Sequence, residues 1–244
     1  MFEWIRKGKR KTFAPLVTDM HCHLLPNVDD GSRNVDETVQ CLKSLKQVGF
    51  EKIYFTPHFQ MNYPNDEDDI LNRFEKLKEE IALRNEKDLP EIMTIGGEYR
   101  FDINYARRPE DGKLLTLPGK RLLCEFSIHN NNYLPLDLFD EYIKQGYSII
   151  LAHPERYPYL SPHSNEIKAL KDKGVFFQIN ILSLNNFYGD GARKRGFEYI
   201  ACGMSEYLGT DTHNMRYINA LLETAENMEV QDVLSAHKFL NSEI

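Results

Sequence analysis

The chain reads as an α/β protein, a barrel of parallel strands with helices between them, and three observations predict this. Short runs rich in Ile, Val, Leu, Phe and Tyr alternate with helical patterns along the whole length. Their composition is that of strands buried on both faces. Histidines and carboxylates recur at the ends of these hydrophobic runs: His21-Cys22-His23 directly after Leu16 to Met20, then His58, Glu98, Glu125, His153, and Asp211 with His213. The C-terminal ends of barrel strands open onto one face, so side chains remote in sequence converge there.

The predicted strands are residues 16–21, 52–57, 92–97, 121–126, 148–152, 175–180 and 206–210. That count favours a seven-stranded barrel over an eight-stranded one. The length of 244 residues suits one barrel domain, 1–244, with residues 1–14 as a basic N-terminal tail. For the first helix, Asn34 caps the start and Glu37 follows three residues on. Val35, Val39, Leu42 and Leu45 keep helical spacing, and Gly49 ends the helix. A second helix over 66–85 carries the stripe Ile70, Phe74, Leu77 and Ile81. Asp66, Glu67, Asp68 and Asp69 crowd its first turn, where the helix dipole favours negative charge, so this run reads as a helix start and not a metal site. Later helices are expected near 137–146, 164–173, 190–203 and 216–236. Between Tyr99 and Lys120 the pattern fails. Arg100, Arg107, Arg108, Pro109, Gly112 and Pro118 indicate a loop-rich insertion directly after Glu98, where insertions often cover active sites.

Composition narrows the function. The chain is 41% hydrophobic and 27% charged, ordinary for a soluble globular protein. A net charge of -7 argues against nucleic-acid binding, which leaves a basic footprint. It leaves room for an anionic substrate, because divalent ions and a few arginines reverse the local field. Cys22, Cys41, Cys124 and Cys202 form no CxxC pair and read as reduced thiols of a cytoplasmic protein. No apolar run is long enough to span a bilayer. The N-terminal Arg6, Lys7, Lys9, Arg10 and Lys11 lack the apolar stretch of a signal peptide and read first as a solvated tail.

The chemistry lies in the strand-end residues. His21 and His23 stand at i and i+2 in a strand and point to one side. Asp29 and Asp30 precede Gly31-Ser32, a placement that also serves helix entry. His58 ends the run from Ile53. Glu98 follows Gly96-Gly97, whose missing side chains allow close backbone approach. Glu125 sits in an apolar strand, where a carboxylate is costly unless it meets a metal or a cation such as Arg121. His153 ends the run from Ile149, and Asp211 with His213 repeats the i, i+2 logic. His129, His163 and His237 read as structural or solvated. Mixed imidazole and carboxylate ligands suit Mn, Fe, Zn or Mg. The set is too large for one ion, so two or three are expected, with a carboxylate such as Glu98 bridging, and closely spaced ions can clamp a phosphoryl group. Arg156, three residues after His153, offers a bidentate guanidinium for phosphate, with Glu155 or another surface carboxylate as its alternative partner. Arg216, three residues after His213, is a second substrate-binding candidate.

These residues resemble the PHP (polymerase and histidinol phosphatase) superfamily, and within it the bacterial PHP-type protein-tyrosine phosphatases of capsule and exopolysaccharide loci. The resemblance rests on Asp19-Met20-His21-Cys22-His23, Val28-Asp29-Asp30-Gly31, Thr56-Pro57-His58, Gly97-Glu98-Tyr99, Cys124-Glu125-Phe126-Ser127, Ala152-His153-Pro154-Glu155-Arg156-Tyr157 and Thr210-Asp211-Thr212-His213-Asn214, in family order over about residues 18–216. Thr56-Pro57 and His129 to Asn132 depart from the expected pattern, in positions that bear on specificity more than on metal binding. The resemblance implies a distorted (β/α)7 TIM-like barrel, the PHP fold, with a trinuclear site often loaded with manganese. It assigns His21, His23, Glu98 and Asp211 to one ion. Glu98, Glu125 and His153 hold the second, and Asp30, His58 and His213 the third, with Arg156 on the phosphate.

The activity so implied is hydrolysis of protein phosphotyrosine by direct attack of metal-bound hydroxide. A proton donor, where one is used, would be a metal-bound water or Asp29. The expected substrate is a bacterial tyrosine kinase with a tyrosine-rich tail, linked to polysaccharide export. That would place the protein in the cytoplasm, peripheral to the inner membrane through its kinase, with a use for the basic tail. A thiolate mechanism is removed, because no cysteine has an arginine six positions later. The alternatives are a PHP phosphatase of a small phosphomonoester such as histidinol phosphate, a nuclease, which the acidic charge disfavours, and a metal-bearing phosphotyrosine-binding module without turnover.

Overall fold

The computed structural model describes residues 11–102, 113–129, 134 and 136–244. Most of the basic tail, Arg107 to Gly112 of the expected insertion, and Asn130 to Asn132 lie outside the described residues.

The chain enters through a 3-10 turn at Ala14–Leu16 and then strand β1, Thr18–Asp19. This strand is shorter than the expected 16–21, because Pro15 starts a turn and Val17 adopts a left-handed backbone (φ 62°) that breaks the extended run. Helix α1, Val35–Gln47, starts where Asn34 accepts the Glu37 backbone N–H at 3.0 Å. The runs expected at 52–57 and 92–97 each divide. The first becomes β2, Lys52–Phe55, and β3, His58–Phe59. The second becomes β4, Glu91–Ile95, and β5, Glu98–Arg100. Pro57 has no N–H to donate and interrupts the first. Gly96-Gly97 bends the second, and a Cβ at Gly97 would lie 2.7 Å from the Phe59 ring. Helix α2, Glu67–Arg84, lies between these two pairs, its start held by Asp66, which accepts the N–H groups of Asp68 and Asp69. The acidic run is thus a helix start, as expected.

Strands β6, Arg121–Glu125, β7, Ser148–Ala152, β8, Phe176–Asn180, and β9, Tyr207–Gly209, follow with helices α3, Leu136–Lys144, α4, Asn165–Asp172, and α5, Asp190–Ala201, between them. The helix expected over 216–236 is two, α6, Met215–Ala225, and α7, Met228–Ala236. Asn227 breaks it by capping α7 through the Glu229 N–H.

Every strand pairing is parallel, in the orders β1-β2-β4 and β3-β5-β6-β7-β8-β9. Because β2 runs on into β3 and β4 into β5, the described residues follow seven strand paths. The β1 and β9 paths share one backbone bridge among the described residues and are otherwise joined by side chains. At the upper end Cys22 bridges Thr212 in parallel. In the middle the buried Asp19 carboxylate accepts the Thr210 N–H (3.1 Å) and hydroxyl (2.6 Å). At the lower end the fully buried Asn241 donates to Thr18 O (3.0 Å) and Leu208 O (2.6 Å) and accepts the Leu208 N–H (3.0 Å). Side chains thus supply the middle and lower part of this seam.

Among the described residues two apolar clusters form the core. The larger packs the helices against the strands. The smaller combines Met20, Tyr54, Leu117, Leu123, Ile150, Ala152 and Tyr207, with Leu240 and Ile244 packed against it. The polar strand ends are left to one face.

Candidate metal centre

The turns after the strands deliver the predicted side chains to that face. The β1 path brings His21 and His23, whose Nε2 atoms stand 3.2 Å apart. Glu98, at the start of β5, places Oε1 3.4 Å from His21 Nε2 and Oε2 3.4 Å from His23 Nε2. Asp211 Oδ1, after β9, lies 3.5 and 3.3 Å from the same two nitrogens. On its other side Glu98 meets His153 Nε2 at 3.0 Å and His58 Nδ1 at 2.9 Å. Glu125, the last residue of β6, reaches His58 Nδ1 at 3.4 Å and His153 Nε2 at 3.8 Å. Asp30 Oδ1 stands 3.5 Å from His58 Nε2 and 3.6 Å from His213 Nε2. The His58 ring therefore faces Glu98 and Glu125 with one nitrogen and Asp30 with the other. Among the described residues, three groups have mutual ligand-atom distances suited to a shared cation: His21, His23 and Asp211; His58, Glu98 and Glu125; and His23, His58 and His213.

The donor set fits divalent cations. Glu98, Glu125 and Asp211 are nearly fully buried, where carboxylates are costly without a positive partner. His58 Nδ1 and Glu98 Oε2 are both buried and neither makes a hydrogen bond, although only 2.9 Å separates them. Burial would push the His21 ring down, but the Glu98 and Asp211 charges outweigh it and raise its pKa to about 9. Against the cost of burial, the imidazoles of His21 and His58 hold the Glu98 carboxyl well below its ordinary range. Burial and Arg156 push His153 down to about 4, and burial and His23 do the same to His213.

A second layer aims the rings. His23 Nδ1 donates to Asp29 Oδ2 at 2.9 Å, and the same oxygen accepts the His58 backbone N–H at 3.0 Å. Asp29 Oδ1 accepts the Gly31 N–H at 3.0 Å. Gly31 lies so close that a Cβ there would stand 1.9 Å from His23 O. His21 Nδ1 donates to Gln178 Oε1 (2.7 Å), Gln178 Nε2 to Asn180 Oδ1 (2.9 Å), and Asn180 Nδ2 to Asp211 Oδ2 (2.7 Å). His213 Nδ1 donates to Asp211 O at 2.8 Å. Each bond leaves Nε2 directed inward, the usual way that outer partners orient metal-binding histidines.

A cavity of about 180 Å³ opens over this cluster, lined by Asp30, His58, Arg100, Glu125, Ile128, Arg156 and Tyr217 among others. Arg156 donates to Asp211 Oδ2 at 3.0 Å, and its guanidinium lies 4.3 Å over the Tyr188 ring. Its carboxylate partner is thus Asp211 and not Glu155, which turns inward to the Ser183 hydroxyl (2.6 Å) and Asn180 N–H (3.1 Å). The cation on Glu125 is Arg100, at 2.9 Å, and not Arg121, which donates to Pro118 O. Arg216 sits outside this cavity, over the Phe187 ring and in an adjoining groove with Arg33 and Asp30. Asp29 stands behind His23 and does not line the cavity. Its carboxyl is burdened by burial, but the His23 charge and bond outweigh this and hold it at about 2. His129, His163 and His237 are exposed, away from the cluster. No disulfide joins the four cysteines, and burial pushes the Cys41 thiol up to about 12.

Sequence reasoning missed Arg100, Gln178 and Asn180 as parts of the site. The signal was present: Glu98 with Arg100, and Gln178 with Asn180, repeat the i, i+2 spacing that singled out His21 with His23.

Fold and site together define a parallel α/β barrel with histidines and carboxylates at its strand ends that could hold metal ions. A family model described as "Capsular polysaccharide synthesis, CpsB/CapC" matches residues 17–232, and the chain belongs to that family. The chain is 27% identical over 201 residues to the putative tyrosine-protein phosphatase CapC of Staphylococcus aureus, covering 82% of this chain and 78% of that protein. It is 26% identical over 204 residues to the tyrosine-protein phosphatase CpsB of Streptococcus pneumoniae, covering 81% and 83%. Among solved structures, one reported for YwqE from Bacillus subtilis and CpsB from Streptococcus pneumoniae, described as unique metal-dependent tyrosine phosphatases, superposes with a TM-score of 0.72. That match is 24% identical and covers 88% of this chain and 86% of the other, which establishes the shared fold.

Proposed function

We propose that this chain is a metal-dependent protein-tyrosine phosphatase that releases phosphate from phosphotyrosine on a protein of a capsule or exopolysaccharide system. The observation that carries the reading is the convergence of His21, His23, His58, His153 and His213 with Asp30, Glu98, Glu125 and Asp211 beneath a cavity that Arg156 lines. Curated relatives named as tyrosine-protein phosphatases support it.

Two to three divalent ions are assigned to these residues, with manganese expected and Fe, Zn or Mg suited to the same donors. When bound, such ions supply Lewis acidity at phosphoryl oxygens and lower the pKa of water. The chain's own groups do the rest. Gln178, Asp29 and the Asp211 carbonyl hold His21, His23 and His213 with Nε2 facing in. Arg156, fixed between Asp211 and Tyr188, presents a guanidinium to the anion. Asp29 has both oxygens engaged and a carboxyl held at about 2, so its assigned part is to orient His23 and His58. A phenol of ordinary pKa near 10 leaves without a strong acid. Arg216, in the adjoining groove, is assigned to peptide beyond the phosphate.

The proposed physiological substrate is a bacterial tyrosine kinase, with the protein acting in the cytoplasm beside it. No helix among the described residues is long and apolar enough to cross a membrane. The deciding experiment pairs the metal content of the protein as purified with phosphate release from a phosphotyrosine peptide. Full activity after metal stripping, or in Glu98→Ala, would refute the reading.

A further inference from the structure

Arg100 has no part in the function so far. It stands two residues after Glu98 on β5, on the same side of the strand, so it reaches the same face. Its side chain is 17% exposed and lines the cavity with Arg156. Nε and Nη2 both address one oxygen, Glu125 Oε1, at 3.1 and 2.9 Å, while Nη1 donates to Phe126 O at 3.1 Å. Arg156 is arranged in parallel: it donates to Asp211 and rests on Tyr188.

Each arginine therefore sits on a carboxylate of the candidate metal centre, and both charges act on Glu125. We propose that Arg100 and Arg156 form a two-armed clamp for the phosphoryl group, with Arg100 the second arm. This rests on the phosphatase reading and adds a residue to it.

Arg100 and a bound cation would compete for the same lone pairs of Glu125. Glu125 Oε1 is the oxygen Arg100 holds, and it is also the one 3.4 Å from His58 Nδ1, in a group whose geometry suits a cation. A carboxylate that shares its charge with a cation is a poorer acceptor for a guanidinium, and like charges repel the two. The Nε and Nη2 edge of Arg100 then needs another acceptor. The Phe126 carbonyl keeps Nη1 anchored, so the freed edge stays at the cavity wall. A phosphate dianion matches that edge in the planar, two-pronged geometry guanidinium favours. A lysine could supply the charge but not the fork. A guanidinium placed only to neutralise Glu125 would need no cavity exposure.

The test measures inorganic phosphate binding to the manganese-loaded protein by calorimetry, alongside metal content and steady-state kinetics on a phosphotyrosine peptide. The variants are Arg100→Gln and Arg100→Lys. The clamp predicts phosphate Kd at least tenfold weaker in Arg100→Gln, with metal content unchanged, KM raised, and only partial recovery in Arg100→Lys. Phosphate affinity within twofold of wild type overturns the proposal, whether metal is kept or lost. If Arg100→Gln does not fold, the comparison rests on Arg100→Lys, where wild-type phosphate affinity again overturns it. The wild-type protein separates the two readings: failure to release phosphate from phosphotyrosine sinks the phosphatase assignment, while its affinity for inorganic phosphate still tests the clamp.

Discussion

The β1–β9 seam offers a sharp test of how this barrel is held together. Asn241, from the C-terminal segment, is fully buried and satisfies Thr18 O, Leu208 O and the Leu208 N–H. Asn241→Ala removes three hydrogen bonds, each worth about 1 kcal/mol net, and leaves buried backbone groups that cost about 1–3 kcal/mol each when unpaired. The expected loss is about 3–5 kcal/mol, large for a single substitution. For a protein of this size that is a fall in Tm of roughly 6–20 °C. The assay is urea unfolding of metal-stripped protein, so that bound ions add no stability of their own, read as a lower midpoint at unchanged slope. Asn241→Asp keeps the shape and the acceptor but sets a carboxylate against two carbonyls, and should lose at least as much. A loss under about 1 kcal/mol in Asn241→Ala would refute the claim that Asn241 holds the lower end of this seam. The seam also bears on function. At its upper end Asp211 N donates to His21 O (2.8 Å) and His23 N to Thr212 O (2.9 Å), so loosening it should weaken metal affinity as well.

Three further outcomes are expected. Glu98→Gln, which leaves the fold's volumes intact, should abolish stable binding of at least one ion and lower phosphatase kcat by about a hundredfold or more; full metal occupancy on elemental analysis would count against a bridging Glu98. Asp29→Asn should weaken metal affinity about 10–100-fold through His23 while KM at saturating metal changes little, and a KM effect without a metal effect would place Asp29 on the substrate instead. The third concerns pH. The His21 ring is raised from 6.5 to about 9, so its contribution to metal-free stability is fully present below about 6.5 and is lost as pH rises through about 9. The same proton must leave for a cation to bind, so metal binding near pH 8 should release protons and tighten as pH rises. Calorimetric heats that do not depend on the ionisation enthalpy of the buffer would contradict this.

Much of the site was legible because strand ends carry a regular signal. His21, His23, Glu98, Glu125, His153 and Asp211 each stand at the end of an apolar run, and parallel strands with one-sided C-termini leave such residues one place to go. Arg100 was hidden in a stretch that reads as irregular, because three strand residues after a Gly-Gly bend are too few to show a period. Gln178 and Asn180 were hidden for the opposite reason: neutral amides inside an apolar strand look like tolerated polar residues until their partners are seen. The helix over 216–236 looked continuous because Asn227 is a modest helix former, and only its bond to the Glu229 N–H makes it a cap.

The sequence by itself determined the α/β alternation, the strand and helix order, and the residue types gathered at one face, because periodicity and burial are written locally in the side chains. Only the tertiary structure decided who pairs with whom. Arg156 chose Asp211 over Glu155, Glu125 took Arg100 over Arg121, and His58 turned one nitrogen to each side of Glu98 and Asp30. These choices depend on distances of a few ångströms between segments far apart in the chain. Electrostatic preference among several available partners is settled by such distances and not by residue type.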